Sequence, residues 1–320
     1  MWNIKQNQNH SFDCLTGLLT AFADCMNVDY RFCFSKNLGF YFWDTEGKLL
    51  SEKIHFCRPY SFFDMYEKYC NIYISERKHD DLCSLKNYSR NTLETSPVIF
   101  EVDAFNCPWC PVYKKFHFDH HLMIVDINEN SFFCFDSYFP EKGIQKLSFP
   151  NLLNWSGSSK TLKIIEQPHT YNGFKYYFEI KETVAYLEHI DYILQLKKFQ
   201  KYMSNEDDLF CNFKGYETGP NHAPFFLILR TLVMQKKQFL LVLDFLKDIC
   251  TDNEYKIIDE IIVLYNEIKN LYSSIHTICL KQIISKKKDT SGIVALFDKI
   301  IEKEELALSL LKECTSNQKS

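Results

Sequence analysis

Cys14, His121 and Asp136 are the residues that could do chemistry together in this chain. A thiol becomes a nucleophile when a base takes its proton, and the base works best when a third group orients it. Asp13 is a plausible N-cap for the run Cys14-Leu-Thr-Gly-Leu-Leu-Thr-Ala-Phe-Ala-Asp-Cys-Met26. Within it Leu15, Leu18, Leu19 and Phe22 fall at i, i+3, i+4 and i+7, the apolar stripe of a core-packed helix. Cys14 therefore sits in the first turn, where unpaired N–H groups and the helix dipole favour a thiolate. With thirteen cysteines in the chain, a small buried residue is the ordinary reading of any one of them. Cys14 stands apart because of its position at a helix start and the His and Asp downstream.

His121 and Asp136 belong to two apolar segments, His121–Ile127 and Ser131–Asp136, joined by Asn128-Glu129-Asn130. Asn tolerates the positive φ of short turns, so the pair reads as a hairpin in the middle of a covered sheet. A two-residue loop, Glu129-Asn130, would pair 121 with 138 and 123 with 136. His121 and Asp136 would then be diagonal neighbours on one face. A one-residue change of register would separate them onto opposite faces. Gln8, six residues before Cys14, could add an oxyanion donor beside the Cys14 backbone N–H, though Gln6, Asn7 and Asn9 carry amides as well.

A second constellation is Cys107-Pro-Trp-Cys110, with His117, His120 and His121 after it. Its residue types suit zinc, but the His pair is closer than finger spacing allows. A redox Cys-x-x-Cys pair is another reading, without the βαβ context such pairs usually have. The plainest is a Pro-containing loop that rims a pocket with Trp109 and Tyr113.

These candidates need a sheet and a helix to position them, and the first half of the chain supplies both. Pro97–Asp103 alternates as a strand. Residues 27–60 hold short aromatic runs that read as strands or covering loops, and 61–93 read as a polar, helical linking segment. Ser156-Gly-Ser-Ser159 and Gln167-Pro-His-Thr170 punctuate the end of the sheet. Beyond Tyr176 long helical periods take over, at about 179–203, 222–249, 253–286 and 293–314, with Asn221 capping the second and His222 in its first turn. The class is α+β, with a catalytic domain over 1–175 and a helical domain over 176–320.

The bulk numbers narrow the functions. A net charge of −4 gives no reason to expect nucleic acid or an anionic membrane. The most apolar run, Phe225–Met234, is short and contains Arg230, so no membrane span is expected. The N-terminus lacks the apolar stretch of a signal peptide, and the cysteines fall at irregular spacings, so reduced thiols and a cytoplasmic location are expected. No Gly-rich phosphate loop and no Gly-x-Ser-x-Gly elbow occur.

The chain resembles the acyltransferase family typified by the butirosin-biosynthesis H protein, which includes the amide-forming enzyme of closthioamide assembly. The matching residues are His10-Ser-Phe-Asp-Cys14-Leu, Asn37-Leu-Gly39-Phe, Val102-Asp103-Ala-Phe-Asn-Cys-Pro-Trp109, His117, His121-Leu-Met-Ile-Val and Phe135-Asp136-Ser-Tyr138. They cover roughly the first 140 residues; the helical half matches chiefly through His222-Ala-Pro-Phe-Phe-Leu-Ile-Leu-Arg230. Ser137 stands where the family has proline. The resemblance implies a papain-like, cysteine-peptidase-type fold and amide-forming acyl transfer in thiotemplated biosynthesis. Cys14 would take an acyl group from a carrier-protein phosphopantetheine thioester and hand it to a small amine. His121 would be the base, Asp136 its orienter, Gln8 and Trp109 would contact the oxyanion or substrate, and no metal or cofactor would be needed. A cysteine peptidase would use the same three residues with water as acceptor. A non-catalytic zinc module on Cys107, Cys110, His117 and His120 is the alternative from another class. The helical half could hold the carrier protein, wall an acyl tunnel or form a homodimer, and its sequence does not choose.

Overall fold

The computed structural model describes residues 2, 4, 12–43, 49–56, 62–152, 155–164, 173–213, 215, 223–286 and 289–316. In chain order the elements are α1 (Cys14–Cys25), β1 (Phe40–Phe42), α2 (Leu50–Lys53), β2 (Ile54–Phe56), α3 (Phe62–Cys70), β3 (Ile72–His79), α4 (Leu82–Thr92), β4 (Val98–Asp103), β5 (Asp119–Ile127), β6 (Ser131–Phe135), β7 (Gln145–Ser148) and β8 (Gly157–Ile164). The helices α5 (Gly173–His189), α6 (Tyr192–Met203), α7 (Glu206–Cys211), α8 (Pro224–Ile249), α9 (Asp252–Ser285) and α10 (Ser291–Ser316) follow. The class is α+β. The chain forms two compact units: Met1–Tyr30 with Phe62–His169, and Arg31–Ser61 with Thr170–Ser320. The segment 31–61 thus groups with the helices, although it lies within the first half of the sequence.

The first unit is built on a six-stranded antiparallel sheet of order β3-β8-β4-β5-β6-β7. Its central strands β4, β5 and β6 are largely apolar on both faces because both are covered. On one face Val98, Phe100, Val102, Leu122, Ile124, Phe132, Cys134 and Leu147 pack with Leu85 of α4. On the other, α1 lies against β5, with Leu18, Leu19 and Phe22 buried. Each of those three is worth roughly 1.5–3 kcal/mol of apolar burial. Tyr66 of α3 donates to the Leu19 carbonyl at 2.6 Å and fixes α3 to α1.

The sheet contains three strands that the sequence reading did not expect, among them the short edge strand β7 (Gln145–Ser148). Ile72–His79 falls in the stretch read as a helical linker and forms the edge strand β3. Its outer residues are charged, as an edge strand's should be, and that charge is what disguised it. Gly157–Ile164, which begins inside Ser156-Gly-Ser-Ser159, is not the end of the sheet but β8, inserted between β3 and β4.

The second unit is helical apart from a short β1–β2 ladder. The expected helix over 179–203 is two helices, α5 and α6, because the chain turns at Asp191 (φ 48°), whose side chain caps α6 by accepting from Leu194 N. In the interior of this unit a completely buried ion pair joins Lys236 of α8 to Glu304 of α10, and Tyr192 of α6 donates to the same carboxylate at 3.2 Å. Among the described residues no helix is long and apolar enough to cross a membrane. Asn221 and His222 lie outside the described residues.

Candidate active site

The first unit alone contains the site. Asp13 caps α1 as expected: its carboxylate accepts from Thr16 N at 2.8 Å and from the Thr16 hydroxyl at 3.0 Å. Cys14 is the first residue of the helix. A second contact fixes the nucleophile from the sheet side, where the Ser137 hydroxyl donates to the Cys14 carbonyl at 2.8 Å. The approach is close enough to require Gly17: a Cβ there would stand 2.7 Å from Ser137 Oγ.

The hairpin turn forms as expected, but the register does not hold to the end of the strands. Ile127 pairs with Phe132 and Asp126 with Phe133, as a two-residue loop demands. Between Asp126 and Ile124 the ladder slips by one residue, so that Ile124 pairs with Cys134 and Met123 with Phe135. The extra residue is Val125, a β-bulge whose carbonyl accepts from Trp2 N at 3.3 Å. The expected pairs 121 with 138 and 123 with 136 therefore do not form. Side-chain alternation then exchanges the two adjacent histidines: His120, not His121, shares a face with Asp136.

His120 donates from Nε2 to Asp136 Oδ2 at 2.9 Å, with both side chains essentially sealed from solvent. In the neutral ring that leaves Nδ1 as the basic nitrogen. Asp136 is further held by Trp109, whose indole N–H donates to Oδ2 at 2.7 Å, and by Tyr138 N, which donates to Oδ1 at 2.9 Å. The Tyr138 ring stacks on His120, with centroids 5.6 Å apart and planes 8° from parallel. His120 Nδ1 has no partner in hydrogen-bonding geometry, yet ring and thiol are near enough to shift each other's titration. Burial alone pushes the Cys14 thiol up; hydrogen bonding and charge from His120, then from His121, outweigh it and bring the thiol down to about 7. Burial pulls His120 down, but Asp136 and the Cys14 thiolate carry it up to about 9. Near neutral pH the pair is poised as thiolate and imidazolium.

His121 is also at the thiol, on the opposite face of β5. Its Nδ1 lies 3.5 Å from Cys14 Sγ. Its Nε2 lies 3.6 Å from Glu101 Oε1, the residue directly across the β4–β5 ladder. A cavity of about 750 Å³ opens beside the two imidazoles, lined among others by Glu101, Asp103, Asp119 and Trp155.

The Cys107–Cys110 turn does not make a metal centre. Among the described residues no group of three or more His, Cys, Asp or Glu is arranged to hold a metal ion. His117 is bonded to Asp103 at 2.5 Å and stacked on Phe105, while His120 is committed to Asp136. Burial pushes the Cys107, Cys110 and Cys134 thiols up, away from ligation or nucleophilic attack.

The structure thus brings Cys14, Asp136 and Trp109 to one place, and puts both His120 and His121 beside the thiol. Gln8 lies outside the described residues. Sequence reasoning assigned His120 to a zinc set and missed Glu101 and Ser137. The adjacency of two histidines was the available signal for His120; none marked the other two. No family model matches this chain, and no curated protein matches it.

Proposed function

We propose that this chain is a cysteine acyltransferase of papain-like type, with Cys14 as nucleophile, His120 as its acid–base partner and Asp136 as the group that orients His120. The observation that carries the reading is a thiol at a helix start beside an imidazole whose far nitrogen is fixed by a buried carboxylate, a setting that draws the thiol down to about 7. That is the arrangement a nucleophilic thiol needs, and it stands on a helix, a sheet strand and the residue that directly follows another strand. The resemblance to carrier-protein-dependent amide synthases supports a thioester donor and an amine acceptor.

The reaction runs in two halves. The Cys14 thiolate attacks the thioester carbonyl; a new C–S bond forms, the donor's C–S bond breaks, and the departing thiol takes the proton from His120. The amine then attacks the acyl-Cys14 carbonyl, a C–N bond forms, the amine gives up a proton to a base in the site, and Cys14 leaves as a thiolate beside the reprotonated His120. The α1 N-terminus supplies backbone N–H groups and a favourable dipole for the oxyanion. Thioester to amide is downhill, so the chemistry asks for no ATP.

The test is turnover of an acyl N-acetylcysteamine thioester with and without a primary amine. Wild type should form the amide, and Cys14→Ala none. His120→Asn should lose on the order of 10²–10⁴-fold, the usual contribution of a positioned acid–base group. Hydrolysis alone, whatever amine is present, would make the protein a thioesterase or peptidase instead. No reaction across a panel of acyl chains would overturn the reading.

A further inference from the structure

The thiol has two imidazoles, and each imidazole has its own carboxylate. Neighbours on one strand point to opposite faces, so His120 and His121 approach Cys14 from different sides of β5. His120 is 1% exposed and its Asp136 is fully buried; His121 is 17% exposed and its Glu101 is half-exposed. A single sealed dyad suffices to activate a thiol; the open one adds to that lowering, and its exposure leaves it able to meet an incoming molecule as well.

We propose that His121, oriented by Glu101, is a second catalytic base that takes the proton of the incoming acceptor, while His120 serves the thiol. The assignment rests on the acyl-enzyme reading above.

The geometry supports this division of work. His121 Nδ1 lies within 3.5 Å of the sulfur that would carry the acyl group, so an acceptor atom bonding to that carbonyl carbon comes within hydrogen-bond reach of the same nitrogen. The ring also lines the neighbouring cavity, together with its partner Glu101. His120 is held on the other side by Asp136 and covered by Tyr138. In the second half-reaction the amine nitrogen bonds to the acyl carbon and its proton passes to His121 Nδ1. The imidazolium so formed keeps its Nε2–H towards Glu101. The C–S bond to Cys14 then breaks, His121 releases its proton to water in the cavity, and neutral His120, which gave its proton to the departing thiol, takes one up from water, restoring the thiolate–imidazolium pair. Atoms and charge balance without another reactant.

The experiment separates the two half-reactions by intact mass, following acyl-Cys14 formation from an acyl N-acetylcysteamine thioester and its decay after a primary amine is added. His121→Asn should slow acylation only by the smaller share of thiol activation that His121 supplies, and should then hold the adduct, with aminolysis slowed about 10²-fold, as expected for loss of a general base. Added imidazole should restore that second step, since the cavity is open to it, and should leave acylation unchanged. Glu101→Gln, an exposed and therefore well-tolerated change, should slow the second step alone, by about 10-fold. A wild-type adduct combined with equal slowing of both steps in His121→Asn, or with no slowing of either, would overturn this assignment while leaving the acyltransferase intact. A wild type that forms no adduct would overturn both.

Discussion

Replacing either histidine by asparagine keeps the ring's approximate volume and removes its charge, and the two replacements should differ sharply in their effect on Cys14. The thiol stands at about 7 against an ordinary 9.0 because His120 and, after it, His121 outweigh the cost of burial. In His120→Asn the larger opposing contribution is gone while burial remains, so the thiol should return to 9 or above. A shift of two units corresponds to roughly 3 kcal/mol of lost thiolate stabilisation. At pH 7 the thiolate fraction would fall from about one half to about one hundredth, a roughly 50-fold loss. Alkylation by iodoacetamide reads this directly, because the thiolate is the reacting species. The assay is the alkylation rate of Cys14 from pH 5 to 10, followed by intact mass and localised by peptide mapping, with Cys14→Ser as the blank. Wild type should show a midpoint near 7. His120→Asn should show the larger loss at pH 7, up to about 50-fold, and His121→Asn a smaller one, because the contributions of His121 to the lowering rank after those of His120. The reasoning would be refuted by the opposite order: His121→Asn crippled, with His120→Asn close to wild type.

Five other outcomes follow from the structure. Acylation should be bell-shaped in pH, rising through about 7 as Cys14 loses its proton and falling above about 9 as His120 loses its own. The linked stability effects have opposite signs. The depressed Cys14 value contributes above 9 and is lost as pH falls through 7, while the raised His120 value contributes below 6.5 and is lost as pH rises through 9. Between pH 7 and 9 the two slopes cancel, and denaturant melts should show no net pH dependence from this pair. Trp109→Phe removes the N–H bonded to Asp136; it should cost about 1.5–3 kcal/mol in urea unfolding and lower Cys14 alkylation at pH 7. Gly17→Ala sets a Cβ 2.7 Å from Ser137 Oγ and 2.8 Å from its Cβ; it should cost about 1–3 kcal/mol and slow acylation, and Ser137→Gly in the same chain should recover most of both. In the helical unit, Lys236→Met leaves Glu304 buried without its partner and should cost about 3–5 kcal/mol by denaturant melt, whereas adding Glu304→Leu should return most of it.

The sequence showed the parts of the site more clearly than their pairing. Cys14 was legible because a capping Asp and a 3.6-residue apolar stripe define a helix start locally, and the Asp13 bonds to Thr16 are those the reading implied. Asp136 was legible as a polar residue closing an apolar strand. The turn between the strands was legible from its asparagines, and its first two pairs form as read. The choice between His120 and His121 was not, because it depends on the bulge at Val125, and Val-Asp-Ile offers no Gly to announce one. What accompanies the bulge is a contact remote in sequence, the Trp2 N–H on the Val125 carbonyl. Glu101 and Ser137 escaped for the same reason: their partners, His121 and Cys14, are set by strand pairing and helix docking rather than by neighbours in the chain. β3 was hidden because an exposed edge strand carries charges like those of a surface helix.

The central claim is that Cys14 carries the acyl group, and the most direct measurement is the intact mass of the protein after mixing with an acyl-carrier-protein thioester. The account predicts a single added acyl mass that peptide mapping places on Cys14, absent in Cys14→Ala and strongly slowed in His120→Asn. An acyl group found on another cysteine, or formed equally well without His120, would contradict it.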